Sequence, residues 1–420
     1  MNKKLHNPFE SLKFINFRIY FIGMNLSLIG SWMQAIAVPW LTLNITNNPF
    51  LVSLVAAFQF LPPLFLSVFA GALVDKFEIK KILILTQTLM MIVALMFSLM
   101  MFFNIENFYL ILFLSFLNGV SSSLDAPARQ SFVYELVEKD ELISNAVALN
   151  SMSFNVARVI GPAIAGVVIA KFGLIWCFLG NAISFFAIII SLFFISIKKD
   201  RVKPKIDQKF LYSVINGLKY VKNSPVLRFC LLILLCSCLF LPHYSITVSA
   251  YAKYGLMGNE KTFGYLMSFL GVGAFLGALF IASYGKVSIK TLVFIPFIAS
   301  LGLSLVGISG NFYLSGVFLA LTGASFVITN ASINSILQLN TKSEYRGRVM
   351  SIYALCFSGS VPFGALFSGW AVSAFTPKIG FIICAISAVV STAIVILFFR
   401  CKDENCNKIS NNLKTKDKNI

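Results

Sequence analysis

The stretch GALVDKFEIKK, residues 71–81, lies between two long apolar runs and sets the interpretation of the whole chain. The runs cover residues 51–74 and 82–103, and each is near the roughly 20 residues that a helix needs to cross a bilayer. Neither run alternates polar and apolar residues, as a membrane-crossing strand would. The stretch therefore predicts two transmembrane helices joined by a short charged turn.

The same pattern of apolar runs and short polar breaks continues along the chain. The predicted spans are 17–44, 51–74, 82–103, 107–128, 144–170, 174–197, 226–250, 262–284, 291–309, 312–338, 347–374 and 379–400. Composition agrees, because 58% of the 420 residues are hydrophobic and 12% are charged, whereas soluble domains carry about a quarter charged residues. We expect an all-α integral membrane protein with twelve transmembrane helices.

Basic residues give the expected orientation. With both termini in the cytoplasm, all but five of the 34 Lys and Arg residues fall in cytoplasmic segments, as the positive-inside rule requires. This topology, together with attraction to anionic lipids, accounts for the net charge of +18. A nucleic-acid partner would require a basic face interleaved with exposed aromatic residues, and the sequence shows no such face.

A charged segment divides the spans into two sets of six. Residues 1–197 are predicted as an N-terminal six-helix bundle, 198–225 as a basic cytoplasmic linker with an amphipathic helix, 226–400 as a C-terminal six-helix bundle and 401–420 as a disordered cytoplasmic tail. GALV at 71–74 recurs as GALF at 277–280. Two pseudo-symmetric bundles with a site near the midplane between them are a recurrent transporter plan.

The loop at 71–81 resembles the signature loop of the major facilitator superfamily. Gly71, Asp75, Lys76, Lys80 and Lys81 match its pattern, and Glu78 replaces a frequent glycine. Segments 124–166 and 344–372 are similar to the drug and siderophore exporter branch, which includes the bacterial enterobactin exporter. The resemblance implies the major facilitator fold, the bacterial inner (plasma) membrane as the location, and a gate latch between Asp75 and the start of span eleven, where Arg346 and Arg348 lie.

One acid lies within a predicted span. Asp125 and Arg129 are four residues apart and share a helix face. A buried carboxylate near a base is a candidate for proton coupling. A structural ion pair at the end of a helix explains the same pattern equally well.

Arg158 lies about four turns into span five, too deep to reach the membrane surface easily. A charge at that depth costs at least about 2.5 kcal/mol, so it is expected to face a watery cavity or a fixed partner. Its forked guanidinium suits carboxylate, phosphate or catecholate oxygens. Gly161, Pro162 and Gly166 follow it, and we expect a helix break there that presents the cation, with close helix packing at the glycines.

Further polar residues within the spans are candidates for the same cavity. With Arg158, the candidate substrate-binding residues are Asn25, Gln34, Gln59, Asn155, His243, Asn330 and Asn334. His243 is the one histidine inside a predicted span, and a hydrogen bond to a carbonyl is the alternative to a role in coupling.

Motifs for ATP binding, zinc hydrolysis or a nucleophile elbow are not found in the sequence, so we expect neither an enzyme nor a cofactor or metal. We expect a monomeric secondary transporter, with protons and membrane lipids as partners. It would export a small amphipathic molecule, a siderophore or drug-like compound, by proton antiport. The alternatives are uptake of a siderophore or cell-wall fragment, lysophospholipid translocation, and a non-transporting receptor or scaffold.

Overall fold

The computed structural model of the protein describes residues 9–137, 142–196, 210–241, 243–284 and 289–401. Its helices are α1 (Ile15–Thr46), α2 (Pro49–Lys76), α3 (Ile79–Phe102), α4 (Phe108–Leu136), α5 (Ile143–Phe172), α6 (Ile175–Phe194), α7 (Phe210–Lys222), α8 (Pro225–Phe240), α9 (Tyr244–Ala250), α10 (Glu260–Tyr284), α11 (Ile289–Ser309), α12 (Phe312–Leu339), α13 (Ser343–Gly359), α14 (Val361–Ala374) and α15 (Pro377–Cys401). Over these residues, 12 segments are long and apolar enough to cross a membrane. The prediction of twelve spans is confirmed.

Asparagines fix where several of these helices begin. The side chains of Asn48, Asn107 and Asn311 accept hydrogen bonds from backbone N–H groups in the first turns of α2, α4 and α12. Asn47, between α1 and α2, has a φ of 51°, a left-handed conformation that asparagine tolerates better than most residues. Because the first N–H groups of a helix have no partner inside it, these caps make the tight turns between spans possible.

Two spans predicted as single helices are interrupted. The seventh consists of α8 and α9, followed by a π-helical turn at Tyr251–Gly255, and the eleventh consists of α13 and α14. In the sequence, Pro242 follows the end of α8, and Pro362 stands in the first turn of α14. Proline lacks the N–H that a continuing helix needs and disfavours helical backbone at the residue before it.

The predicted break at Gly161, Pro162 and Gly166 is corrected by the structure, because α5 runs uninterrupted through these positions. One missing hydrogen bond in a 30-residue helix is tolerated when neighbouring helices hold both sides of it. The glycines provide the predicted close approach. A Cβ at Gly161 would collide with the side chain of Trp32 in α1, and one at Gly166 with the backbone oxygen of Gly264 in α10.

Helices α1–α6 form one bundle and α8–α15 the other, and two long packings join them, α5 with α10 and α2 with α14. Helix α7, in the linker, packs against α13 and α8 of the C-terminal bundle. The ring of Tyr220 stacks on that of Tyr345 at a centroid distance of 4.3 Å. The linker helix is therefore attached to the helix that carries Arg346 and Arg348. Of the predicted tail, residues 402–420 lie outside the described residues.

Candidate functional site

A cleft separates the two bundles toward one end of the molecule. At the other end, a single apolar core includes Trp40 and Ile169 of the N-terminal half and Val248 and Phe263 of the C-terminal half. Toward the ends of the helices that carry the basic loops, each half has a core of its own. The halves are therefore packed together at one end only.

Helix α5 shows the same opening along its length. Residues 154–156 are all exposed, and three consecutive residues cover about 200° of a helix circumference. One side of a helix in a bundle faces lipid, so exposure over such an arc includes the side toward the other half. Residues 161–166, further along α5, are buried or half-buried. The cleft begins between these two stretches, at Arg158.

Arg158 reaches across the cleft. Its Cζ lies 5.4 Å from the centroid of the Phe357 ring in α13, a cation–π contact between the two halves. The guanidinium is also within electrostatic range of Tyr353 in α13 and Cys238 in α8. Among the described residues, no carboxylate pairs with it. The face of the guanidinium is occupied by the ring, and its N–H edges have no acidic partner.

Two of the predicted asparagines lie around this arginine. The Tyr353 hydroxyl lies close enough to the side chain of Asn334 in α12 to interact with it, and Asn334 accepts a hydrogen bond from Gln338 at 2.5 Å. One turn before Asn334, Asn330 is buried and lies 4.0 Å from the sulfur of Cys238. Arg158, Asn330, Asn334, Tyr353 and Phe357 form what we call the cleft site. It draws on both halves.

The opposite end is closed by a second cation. Lys253 Nζ, from the seventh span, lies 3.2 Å from the backbone oxygen of Leu43 and 3.2 Å from Asn44 Oδ1, both in α1, and 2.7 Å from Asn47 Oδ1 in the turn that follows α1. The Tyr254 hydroxyl donates to the backbone oxygen of Asn47 at 2.9 Å. We call these contacts the clasp.

Three other predicted residues have their described contacts with their own helix or a neighbouring one. Asn25 and Asn155 each donate to a backbone carbonyl four residues earlier in their own helix, at 2.7 and 2.8 Å. His243 is buried at the break between α8 and α9, and a Cβ at Gly364 of α14 would collide with its Nε2. Its imidazole therefore faces the backbone of α14.

Gln34 and Gln59 line a separate cavity inside the N-terminal bundle. Asn181 Nδ2 of α6 donates to Gln34 Oε1 at 2.8 Å. These glutamines therefore belong to the interior of one half.

Asp125 and Arg129 form an ion pair, and both are buried in the N-terminal bundle. The carboxylate also accepts hydrogen bonds from Thr86 Oγ1 at 3.0 Å and Gln87 Nε2 at 2.5 Å, both in α3. Three partners in one half, Arg129, Thr86 and Gln87, hold this acid inside the N-terminal bundle. This geometry fits the structural alternative, and proton coupling there stays a prediction.

The signature loop makes its described contacts within the N-terminal half. Lys80 Nζ donates to the backbone oxygen of Ile195 at the end of α6 at 2.8 Å, and Lys81 pairs with Glu78 at 3.0 Å. Lys76 lies over the ring of Phe77. Lys80 thus holds the start of α3 to the end of α6.

The latch itself remains untested. The surroundings of Gly71 and the side chain of Asp75 lie outside what the structure describes, although Asp75 falls in the last turn of α2. Across the cleft, Arg346 is exposed and Arg348 lies over the Tyr345 ring at 5.2 Å.

Sequence reasoning missed Tyr353, Phe357 and Lys253. The two rings stand among 43 Phe and 13 Tyr residues with nothing local to distinguish them. Lys253 lies three residues beyond the predicted seventh span, 226–250. The available signal was its position at the end of a span, five residues before the polar turn GNE at 258–260.

Several bacterial transporters are similar in sequence to this chain over most of its length. The chain is 24% identical over 385 residues to the staphyloferrin A transporter of Staphylococcus aureus, covering 90% of this chain and 94% of that protein. It is 24% identical to the multidrug efflux pump Tap of Mycolicibacterium fortuitum, covering 81% and 85% of the two chains. With macrolide efflux protein A of Streptococcus pyogenes the identity is 22%, over 84% and 88%.

Solved structures agree on the fold. A bacterial homologue of the lysosomal transporter Spinster, in an inward-facing and unoccupied conformation, superimposes with a TM-score of 0.72 at 12% identity, covering 92% and 96% of the two chains. A bacterial homologue of ferroportin, also inward-facing, gives 0.68 at 13% identity, covering 91% and 98%. The family described as transmembrane secretion effector matches residues 6–419. This chain is thus a multi-pass membrane transporter of the major facilitator type and belongs to the transmembrane secretion effector family.

Proposed function

We propose that this protein exports a small amphipathic molecule with anionic or catechol oxygens across the bacterial plasma membrane. The two halves alternate access to the cleft site, and inward proton flow drives the cycle. Siderophores and drug-like compounds with acidic or chelating oxygens are the substrate class.

The guanidinium of Arg158 carries this proposal. It stands at the middle of α5, faces the cleft and has no acidic partner in the described part of the chain. Arginine presents paired N–H donors that match carboxylate and catecholate oxygens. The rings of Phe357 and Tyr353 supply an apolar surface beside it, which suits a cargo with both polar and apolar parts.

The direction of opening supports export. The cleft opens toward the helix ends that carry the basic loops, which the positive-inside rule assigns to the cytoplasm. A cargo made inside the cell would enter the cleft from that side. The relatives named for efflux of drugs and macrolides are consistent with this direction.

Coupling and gating extend the proposal. Protonation of Asp125 would remove the charge that stabilises Arg129, so a proton at this site is linked to the packing of α3 against α4. When the cleft closes, Asp75 would meet the start of α13, where Arg346 and Arg348 lie. The clasp would then open at the opposite end.

Transport in vesicles of opposite orientation tests the proposal. A deletion strain is first compared with its complemented parent for chelator released into the medium and for macrolide retained in the cells. The compound whose handling changes is then offered to everted and right-side-out vesicles with an imposed proton gradient.

Accumulation in everted vesicles that collapses with a protonophore supports proton-coupled export. Accumulation in right-side-out vesicles alone would establish uptake instead. Movement of lysophospholipid between leaflets in place of soluble cargo would establish a lipid translocator. If neither vesicle type accumulates the compound and deletion of residues 402–420 abolishes the cellular effect, the protein is a receptor or scaffold.

A further inference from the structure

A polar cavity lies inside the N-terminal bundle, apart from the cleft site. It is lined by side chains of α1, α2, α3, α4 and α6 and has a volume of about 20 Å³, room for a single water-sized guest. The polar lining residues are uncharged: Ser31, Gln34, Gln59, Ser115, Asn118 and Asn181. Phe97 and Phe185 form apolar parts of its wall, and both are buried. Six neutral polar side chains meet where a membrane bundle usually places apolar ones.

Part of this lining lacks hydrogen-bond partners. Ser115 is 2% exposed, and its Oγ has no partner among the described residues. The side chains of Gln59 and Asn118 also have none within that part of the chain. Gln59 and Asn118 are half-buried, whereas Ser115 is fully buried, and a buried polar group without a partner is costly. A guest in the cavity removes this cost.

The partners that do exist show which chemistry faces the cavity. Ser31 donates its proton to the Ser27 backbone oxygen at 2.8 Å, so its own oxygen is left with lone pairs alone. Asn181 Nδ2 donates to Gln34 Oε1 at 2.8 Å, which leaves one further lone pair on that oxygen. With Ser115, Gln59 and Asn118, the lining can offer five uncharged oxygens to a guest, beside the N–H groups of its amides.

We propose that this cavity binds one alkali-metal cation, with sodium as the probe. Uncharged carbonyl and hydroxyl oxygens can replace the hydration shell of a monovalent cation, as carbonyl rings do in ion channels. A divalent ion is disfavoured because no acid lines the cavity. An anion is disfavoured because no lysine or arginine lines the cavity.

The position of the cavity assigns the ion a stabilising role. All lining residues belong to the N-terminal half, so the ion moves with that half and is not released when the cleft changes side. It ties α1 to α2, α4 and α6. Helix α1 also supplies Leu43 and Asn44 to the clasp, so a more rigid α1 favours the clasped state.

Binding by the purified full-length protein in detergent tests the proposal without reference to cargo or direction. Thermal unfolding is followed in sodium chloride and in choline chloride at equal ionic strength, and radioactive sodium binding is measured at equilibrium. We expect a saturable rise in melting temperature of at least about 3 °C with sodium and close to one ion bound per chain.

Two substitutions are expected to change the affinity for sodium in opposite directions. Ser115→Ala removes an oxygen donor and is expected to weaken sodium binding at least about threefold. Asn118→Asp, assayed at pH 8, adds negative charge to the lining and is expected to tighten it. Ser123→Ala is the matched control, because Ser123 is buried in the same helix, donates to the Gly119 backbone oxygen and does not line the cavity.

Equal melting temperatures of the wild-type protein in sodium and choline would overturn the proposal and indicate that water alone fills the cavity. Sodium binding that Ser115→Ala leaves unchanged, or that Asn118→Asp weakens, would also overturn it. Because these are equilibrium measurements, their failure leaves the transport proposal untouched, and a failure of transport leaves them untouched.

Discussion

Each half of the molecule sends one cation into the other half, at opposite ends of the interface. Lys253 of the C-terminal half meets three oxygens of α1 and the turn that follows it, and the end where it lies is closed. Arg158 of the N-terminal half meets the face of an aromatic ring, and the cleft opens beside it. A cation whose donors are satisfied by protein holds helices together, whereas one with free donors is available to a ligand.

A third cation, Arg129, differs from Arg158 because it is paired with a carboxylate. Arg129 is buried within the N-terminal half and paired with Asp125. That pair lies inside one bundle, so rocking of the halves does not have to separate it. We therefore propose that the three cations divide stabilisation within a half, closure between halves and recognition of cargo, and the predictions below test that division.

Replacement of Arg158 is expected to have the largest effect. Arg158→Gln removes the charge and the forked donor, and cargo flux in vesicles should fall about 100-fold or to background. Arg158→Lys keeps the charge but loses the paired geometry, and we expect an intermediate flux. Initial rates at matched protein levels are the measurement.

Arg228→Gln is the matched control for that experiment. Arg228 Cζ also lies over an aromatic ring, Phe399, at 5.8 Å, but both residues belong to the C-terminal half. Its flux should stay within about twofold of the parent. Equal losses in both variants would show that Arg158 acts by stabilising the fold and does not bind cargo.

The sequence was enough to predict the spans and to single out Arg158. It was not enough to predict the residues that surround Arg158, and the reason is physical. Apolar length and basic loops predict spans, because the bilayer imposes them on each segment independently. Arg158 stood out because a charge at mid-membrane depth is costly wherever its helix packs. The partners Tyr353 and Phe357 are almost 200 residues away in the sequence, and no local rule chooses them among so many aromatics.

The same limit explains the incorrect and unresolved residue roles. Gly161 and Pro162 suggested a break, but whether a helix survives a proline depends on its neighbours, here Trp32 and α10. The spacing of Asp125 and Arg129 indicated a pair without saying what surrounds it. Thr86 and Gln87, on another helix, supply that information.

The second-largest effect is expected at the pair within the N-terminal half. Arg129→Leu leaves Asp125 buried without its cation, and breaking such a pair costs about 3–5 kcal/mol. We expect the melting temperature of the purified protein to fall by about 10 °C. The double variant Asp125→Asn/Arg129→Gln should recover at least half of that loss.

Measuring cargo flux in the double variant then shows whether the pair of Asp125 and Arg129 is structural or couples transport to protons. If the double variant is stable and still exports against a gradient, the pair is structural and protons bind elsewhere. If it is stable and catalyses only downhill movement, Asp125 couples transport to protons. A melting temperature unchanged in Arg129→Leu would contradict the buried ion pair itself.

A smaller effect is expected where the halves stay together. Gly166 of α5 lies against the backbone of Gly264 in α10. This contact is part of the packing of α5 against α10 that joins the two halves. Gly166→Val forces these helices apart, and we expect a loss of about 2 kcal/mol, or roughly 5 °C in melting temperature. Gly347→Ala, where nothing lies within 4 Å of the added carbon, should shift it by less than about 1 °C. Equal shifts would show that close packing at Gly166 is not required.

The clasp is expected to give the smallest effect, because its groups are partly exposed and its acceptors uncharged. Lys253→Met removes a charged donor worth about 1 kcal/mol there, so the clasped end should open about fivefold more often. The measurement is the labelling rate of Leu43→Cys by a membrane-impermeant maleimide, since Leu43 is buried against Ile246 and Ala250 of α9. Lys261→Met is the control, because it removes the same charge from an exposed site on the same side. If the two substitutions accelerate labelling equally, net charge holds that end shut and the contacts of Lys253 do not. Of the two cations at the ends of the interface between the halves, only Arg158 would then have a specific role.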